Sequence, residues 1–255
     1  MNDAALLLRQ VRSEQRSLWR NPASAFFTLV LPLVFLVIFA SLFRNSRVSQ
    51  LGNIPFDQYY VPALAAFGVM GATFTNLAIT ISLRRDSGGL KRLRATPLPR
   101  WVFFAGLIGS AILVALLMVV LTTAVGVLFY GLHFSGHYLQ TGLVLAVGAG
   151  CFSALGIALT CLVPNADAAP AVVNGVFLPL VMISGTFFPV EGAPAFLRTI
   201  ADVFPIRHFT RAVVAVYNPQ GGAGLPGGDL LVLLAWGGVA LLVALRGFRW
   251  EAPRS

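Results

Sequence analysis

Few side chains in this sequence could do chemistry, and their spacing limits what that chemistry is. Lys91 is the only lysine; every other basic residue is an arginine. A phosphate-binding loop of the G-x-x-x-x-G-K-S/T kind needs a lysine followed by a hydroxyl residue. Lys91 is followed by Arg92, so the chain is not expected to hydrolyse ATP. His133 and His137 stand four apart with Gly136 between them. They lack the further ligands a metal site needs, and no metal or catalytic constellation is expected. Cys151 and Cys161, ten residues apart on one expected helix, would lie about 15 Å apart, beyond disulfide reach, and read as packing residues. What remains is a scatter of Ser, Thr and Asn inside apolar stretches. Ser and Thr commonly bond back to their own helix. Asn76 and Asn174 cost more to bury and need a neighbouring helix or an aqueous path. With Thr73 and Ser184 they are the candidate polar points of a pathway.

These residues sit in a strongly apolar chain. Of its 255 residues, 57% are hydrophobic and 11% charged, and the mean hydropathy is +0.82. Soluble domains carry about 25% charged residues; the excess apolar surface requires lipid. Six uncharged apolar stretches predict six spans: Ala25–Phe43, Tyr59–Leu83, Trp101–Tyr130, Tyr138–Val163, Ala168–Phe188 and Leu230–Leu245. The expected class is an all-α polytopic membrane protein. The third stretch is long enough to tilt or project. The last is short of the ~20 residues a span needs and borrows Asp229 and Arg246 as flanks. Ion-coupled carriers place Asp, Glu or His within the membrane, and these stretches hold none.

The net charge of +9 reads as positive-inside topology rather than nucleic-acid binding. With the N-terminus inside, Arg9, Arg12, Arg16, Arg20, the loop from Arg84 to Arg100, and Arg246, Arg249 and Arg254 fall in the cytoplasm. Arg44, Arg47, Arg198, Arg207 and Arg211 then remain outside. Trp19, Trp101 and Trp250 would anchor the inner boundary, and Tyr59, Tyr60, Tyr130 and Tyr138 the outer one. The order of charges at the N-terminus is not that of a signal peptide. Residues 1–21 instead predict an amphipathic interface helix, with Arg9, Arg12, Arg16 and Arg20 on one side and Leu7, Val11 and Leu18 opposite. Asn21-Pro22 starts the first span, and Pro32 is expected to kink it.

The loop of residues 84–100 carries more than charge. Gly88-Gly89 ends the second span, Leu90–Ala95 predicts one or two helical turns, and Pro97 and Pro99 stop that helix before the third span. Arg85–Pro97 here resembles the R-E-x-G-T-L-E-R-L-R-A-T-P stretch of the ATP-binding-cassette type-2 permease family, in its drug and lipid exporter branch. Asp86, Gly89 and Lys91 replace the family's Glu, Thr and second Glu. The resemblance extends to Asn21-Pro22 before a proline-containing first span. It extends also to Ser184-Gly185-Thr186-Phe187-Phe188-Pro189 followed by Pro194, Leu197, Ile200 and Pro205.

The resemblance implies the six-span fold of the type-2 exporters, with residues 22–255 as the transmembrane domain. The N-terminal helix and a coupling helix at Leu90–Ala95 would rest on a separate cassette ATPase, which would bind the ATP and magnesium. Two permeases and two ATPases would assemble, the second permease being a copy or a paralogue. Leu90, Leu93, Arg92, Arg94, Arg85 and Asp86 would couple to the ATPase. Residues 189–228 would form a re-entrant helical hairpin on the outer side, built from Pro194–Phe204 and Pro205–Tyr217. The favoured function is export of an amphipathic drug-like or lipid substrate from a bacterial cytoplasmic membrane. A polysaccharide or glycolipid exporter, a proton-coupled drug carrier and a membrane scaffold are the alternatives.

Overall fold

The structure, a computed structural model, describes residues 3–44, 46–48, 53–94, 99–134, 136–187, 190, 194–218 and 225–248. It is mostly helical. Helix α1 is Asp3–Trp19. Helix α2, residues 22–42, begins at Pro22 and contains a π-helical turn at Phe26–Val30. That turn precedes Pro32, whose ring and missing N–H interrupt the regular ladder. A two-residue antiparallel pair follows, β1 (Arg47–Val48) against β2 (Ile54–Pro55), with Arg47 opposite Pro55 and Val48 opposite Ile54. This small ribbon departs from an all-helical expectation.

Helix α3 runs Phe56–Asp86, with a second π-helical turn at Gly71–Thr75. Gly88, at φ +70°, turns the chain in a conformation that side-chain-bearing residues rarely adopt. The short α4 follows at Gly89–Arg94. Helices α5 (Arg100–Tyr130) and α6 (Tyr138–Leu159) come next. Helix α7 is Ala169–Ile183. Helix α8 (Ala195–Val203) follows Pro194, and α9 begins at Pro205 and ends at Tyr217, as the prolines predict. Helix α10 is Gly227–Gly247.

Four of these helices are long and apolar enough to cross a membrane: Phe56–Asp86, Trp101–Tyr130, Tyr138–Leu159 and Gly227–Gly247. Phe26–Leu42 and Ala169–Ile183 are shorter apolar helices. The stretch expected to span from Ala168 ends as helix at Ile183 because Ser184 and Gly185 turn the chain, Gly185 at φ +89°. Residues Phe188 and Pro189 and the segment 219–224 lie outside the described residues. Helix α5, at 31 residues, is about 46 Å long, more than the ~30 Å hydrocarbon core.

The core is built around α3, which packs against α5 and α9, and around the long contact of α6 with α10. Tyr60, Leu64 and Met70 of α3 and Phe209 and Tyr217 of α9 are fully buried there. Tyr59 and Tyr60 are therefore core residues, not outer-boundary anchors: the Tyr59 hydroxyl donates to the Gly185 carbonyl, and Tyr60 stacks on Phe56. Trp19, Trp101 and Tyr138 are exposed, as anchors would be. Outward apolar side chains on α2, α5 and α10, among them Leu42, Leu128 and Leu245, form a surface suited to lipid.

Candidate functional site

The chemistry concentrates at the end of α3 nearest α1. Of three adjacent charged residues there, Arg84 reaches α1, while Arg85 and Asp86 both reach the connection between α6 and α7. Successive helical residues point about 100° apart, so neighbouring charges at a helix end can serve different partners.

Arg84 reaches α1. Its two Nη groups donate to the two carboxylate oxygens of Glu14 at 2.7 and 2.5 Å. Glu14 is 7% exposed and also accepts from Gln10 Nε2 at 2.7 Å. One residue on, Gln15 Nε2 donates to the Ser110 carbonyl and hydroxyl of α5, each at 3.0 Å. Helix α1 is thus seated by polar contacts as well as by Val11 and Leu18, which are half-buried. The seat depends on Gly106: a Cβ there would stand 2.2 Å from Gln10 Cγ. Arg9, Arg12, Arg16 and Arg20 all lie on the exposed side of this part of the chain.

Arg85 turns inward and is 4% exposed. One Nη donates to the Thr160 carbonyl at 2.8 Å and the other to the Val163 carbonyl. Both acceptors lie just past the C-terminus of α6, where helical carbonyls lose their own partners and a cation is favoured by the helix dipole. Asp86 accepts from the Ala166 backbone N–H at 2.6 Å, in the turn leading to α7. As a surface for a partner protein, then, Arg85 presents no guanidinium; it is an internal bracket.

Beyond Gly88, Leu90 is 1% exposed and packs with Leu77, Ile81, Phe103 and Leu107. Leu90, expected to couple to the ATPase, offers no apolar surface to another protein, because its side chain is already covered. Lys91 and Arg92 are exposed. Leu93 and Arg94 belong to the same short helix by backbone; their side chains, and residues 95–98, lie outside the described residues.

The four candidate pathway residues do not share one cavity. Thr73, in the π-helical turn of α3, is fully buried and donates to the Val69 carbonyl at 2.6 Å. Asn76 follows that turn, accepts from Thr80 at 3.4 Å, and lines a cavity of about 240 Å³ with Asn21, Glu14 and Arg84. Ser184 lines another, of about 310 Å³, with Tyr59, Thr210, Arg207, Arg211 and Asp229. There Ser184, Thr186 and Thr210 form a chain of hydroxyls, at 2.7 and 3.2 Å. Asn174 is half-buried on α7. Among the described residues no group of three His, Cys, Asp or Glu side chains could hold a metal ion.

Sequence reasoning passed over Glu14, Thr210 and the His208–Asp229 pair. Only Glu14 left a signal: it is a lone carboxylate amid the arginines of α1, four residues after a glutamine.

Comparison with known proteins agrees with this architecture. The model of the ABC-2 type transporter family matches residues 5–218. The chain is 27% identical over 169 residues to YbhR of Escherichia coli (strain K12), named a probable multidrug ABC transporter permease; the match takes in 65% of this chain and 45% of that protein. The chain therefore spans less than half the length of that relative. It is 25% identical to YvfS of Bacillus subtilis (strain 168), named a putative transport permease, over 80% of this chain and 82% of the other. With the inner membrane transport permease YadH of Escherichia coli (strain K12) the identity is 24%, over 75% and 77%. A helical chain with several membrane-length apolar helices, matched by the family model over most of its length, is an integral membrane protein that belongs to the ABC-2 type transporter family.

Proposed function

We propose that this chain is the membrane-spanning permease subunit of an exporter powered by a separate cassette ATPase. The observation that carries the reading is α4: a short helix whose Leu90 side is fixed in the core while Lys91 and Arg92 stay exposed. A stiff helix rooted in the bundle transmits a push that a loose loop would absorb. In this reading Phe26–Leu42 and Ala169–Ile183 complete six spans, and α8–α9 form the re-entrant outer hairpin. Both termini face the cytoplasm, and the membrane is the bacterial inner one. Arg92, Leu93 and Arg94 meet the ATPase, Arg85 braces them from within and Asp86 from the surface, and α1 with the residue after it presents Arg9, Arg12, Arg16 and Arg20 to anionic lipid or to the ATPase. ATP and magnesium bind on that partner, present in two copies beside a second permease. The substrate class is an amphipathic drug or lipid, passing between two permeases, with the half-buried Asn76 and Asn174 as candidate polar points; Thr73 and Ser184, buried within this chain, do not line that route.

The test is assembly and coupling. Purified alone, the chain should show no ATP hydrolysis above background. Co-expressed with its ATPase, Leu93→Asp should insert normally yet lose co-purification or substrate-stimulated hydrolysis, with Arg92→Gln milder. Normal assembly and transport with Leu93→Asp would remove α4 from the coupling role.

A further inference from the structure

His208, on α9, uses both ring nitrogens. Nε2 lies 2.8 Å from the backbone carbonyl oxygen of Asp202, near the end of α8. Nδ1 lies 2.6 Å from Asp229 Oδ1, in the first turn of α10. The His208 and Asp229 side chains are each 12% exposed. A carbonyl oxygen only accepts, so Nε2 carries a proton. At 2.6 Å, Nδ1 and Oδ1 also need a proton between them, whichever atom formally holds it; without one, two lone pairs face each other. The charged neighbours are Arg207, whose Nε lies 3.2 Å from Asp202 Oδ1, and Arg211, at 3.8 Å from Asp202 Oδ1 and 3.6 Å from Asp229 Oδ1. Arg207 also donates to the Arg198 carbonyl of α8 at 3.4 Å.

We propose that His208 and Asp229 form a proton-dependent latch fastening the α8–α9 hairpin to α10. Loss of the shared proton leaves the imidazole one N–H for two acceptors, so either the α8–α9 joint or the α9–α10 joint must open. A second attachment does not titrate: Trp236 Nε1 donates to the Val203 carbonyl at 2.9 Å, and its indole stacks on Phe204. Phe209 and Tyr217 hold α9 in the core, so it is α8 that can move about that point without leaving α10. Asp229, Arg207 and Arg211 also line the cavity that holds Ser184, so release of the latch changes one wall of it. That the latch reads external pH rests on the topology proposed above; the latch itself does not.

The experiment measures the spin-label distance between Thr199→Cys on α8 and Leu231→Cys on α10, in the full chain with Cys151→Ala and Cys161→Ala, in lipid nanodiscs. Buffers run from about pH 5 to about pH 8. A single narrow distance at the acid end, joined by a longer population at the alkaline end, is the expected result. His208→Gln and Asp229→Asn should each flatten that response. An unchanged distribution in the otherwise native chain would overturn the latch without touching the transport reading. A full response persisting in His208→Gln would overturn it too.

Discussion

Glu14 and Arg84, 70 residues apart in the chain, meet in a two-pronged ion pair that ties the N-terminal helix to the end of α3. Arg84 also stands 6.0 Å above the Phe103 ring of α5, so one guanidinium joins three helices. Removing Glu14's charge leaves Arg84 partly buried without its partner. Glu14→Gln is expected to cost about 1–3 kcal/mol, Arg84 keeping some access to water. The check is the thermal unfolding midpoint of the purified protein, with Arg84→Glu combined with Glu14→Arg recovering part of the loss. An unchanged midpoint in Glu14→Gln would mean that the pair contributes nothing to seating α1.

Arg85 is expected to matter more to the fold than its exposed neighbour Arg92. Arg85→Gln strands the carbonyls of Thr160 and Val163 in a dry setting and should destabilise by about 2 kcal/mol. Arg85→Lys should rescue incompletely, since a single ammonium does not reproduce the guanidinium fork. Unfolding of the two Arg85 variants against Arg92→Gln, which should stay within about 0.5 kcal/mol, decides the ranking.

Leu90 and Arg92 separate folding from contact on one short helix. Leu90→Ala opens a cavity among Leu77, Ile81 and Phe103 and should cost about 2–5 kcal/mol, with or without any partner present. Measured on the chain alone, an effect under 0.5 kcal/mol would return Leu90 to the surface.

Gly148 on α6 receives the ring of Phe209 from α9. A Cβ at Gly148 would stand 2.0 Å from Phe209 Cε2. Gly148→Ala should therefore destabilise by about 1–3 kcal/mol through overpacking, and Phe209→Leu in the same chain should relieve part of it. Additive losses in the double variant would place the strain elsewhere.

By itself the sequence determined the helices and where most of them stop. Hydropathy is a property of consecutive residues, so the apolar stretches marked the long helices. Pro22, Pro194 and Pro205 marked starts and Gly88 an end because each acts on its own backbone. The ordered motif from Arg85 to Pro97 likewise pointed to the family that the comparison shows. The tertiary structure alone decided which charges face inward. Arg84 and Arg85 look alike in the sequence, yet their partners are Glu14 and the Thr160 and Val163 carbonyls, 70 to 78 residues away. Leu90 reads as a contact residue until Phe103 and Ile81 cover it. His208 and Asp229 are two ordinary residues until α9 packs against α10. Such pairings depend on direction and distance in three dimensions, which neither spacing nor composition encodes.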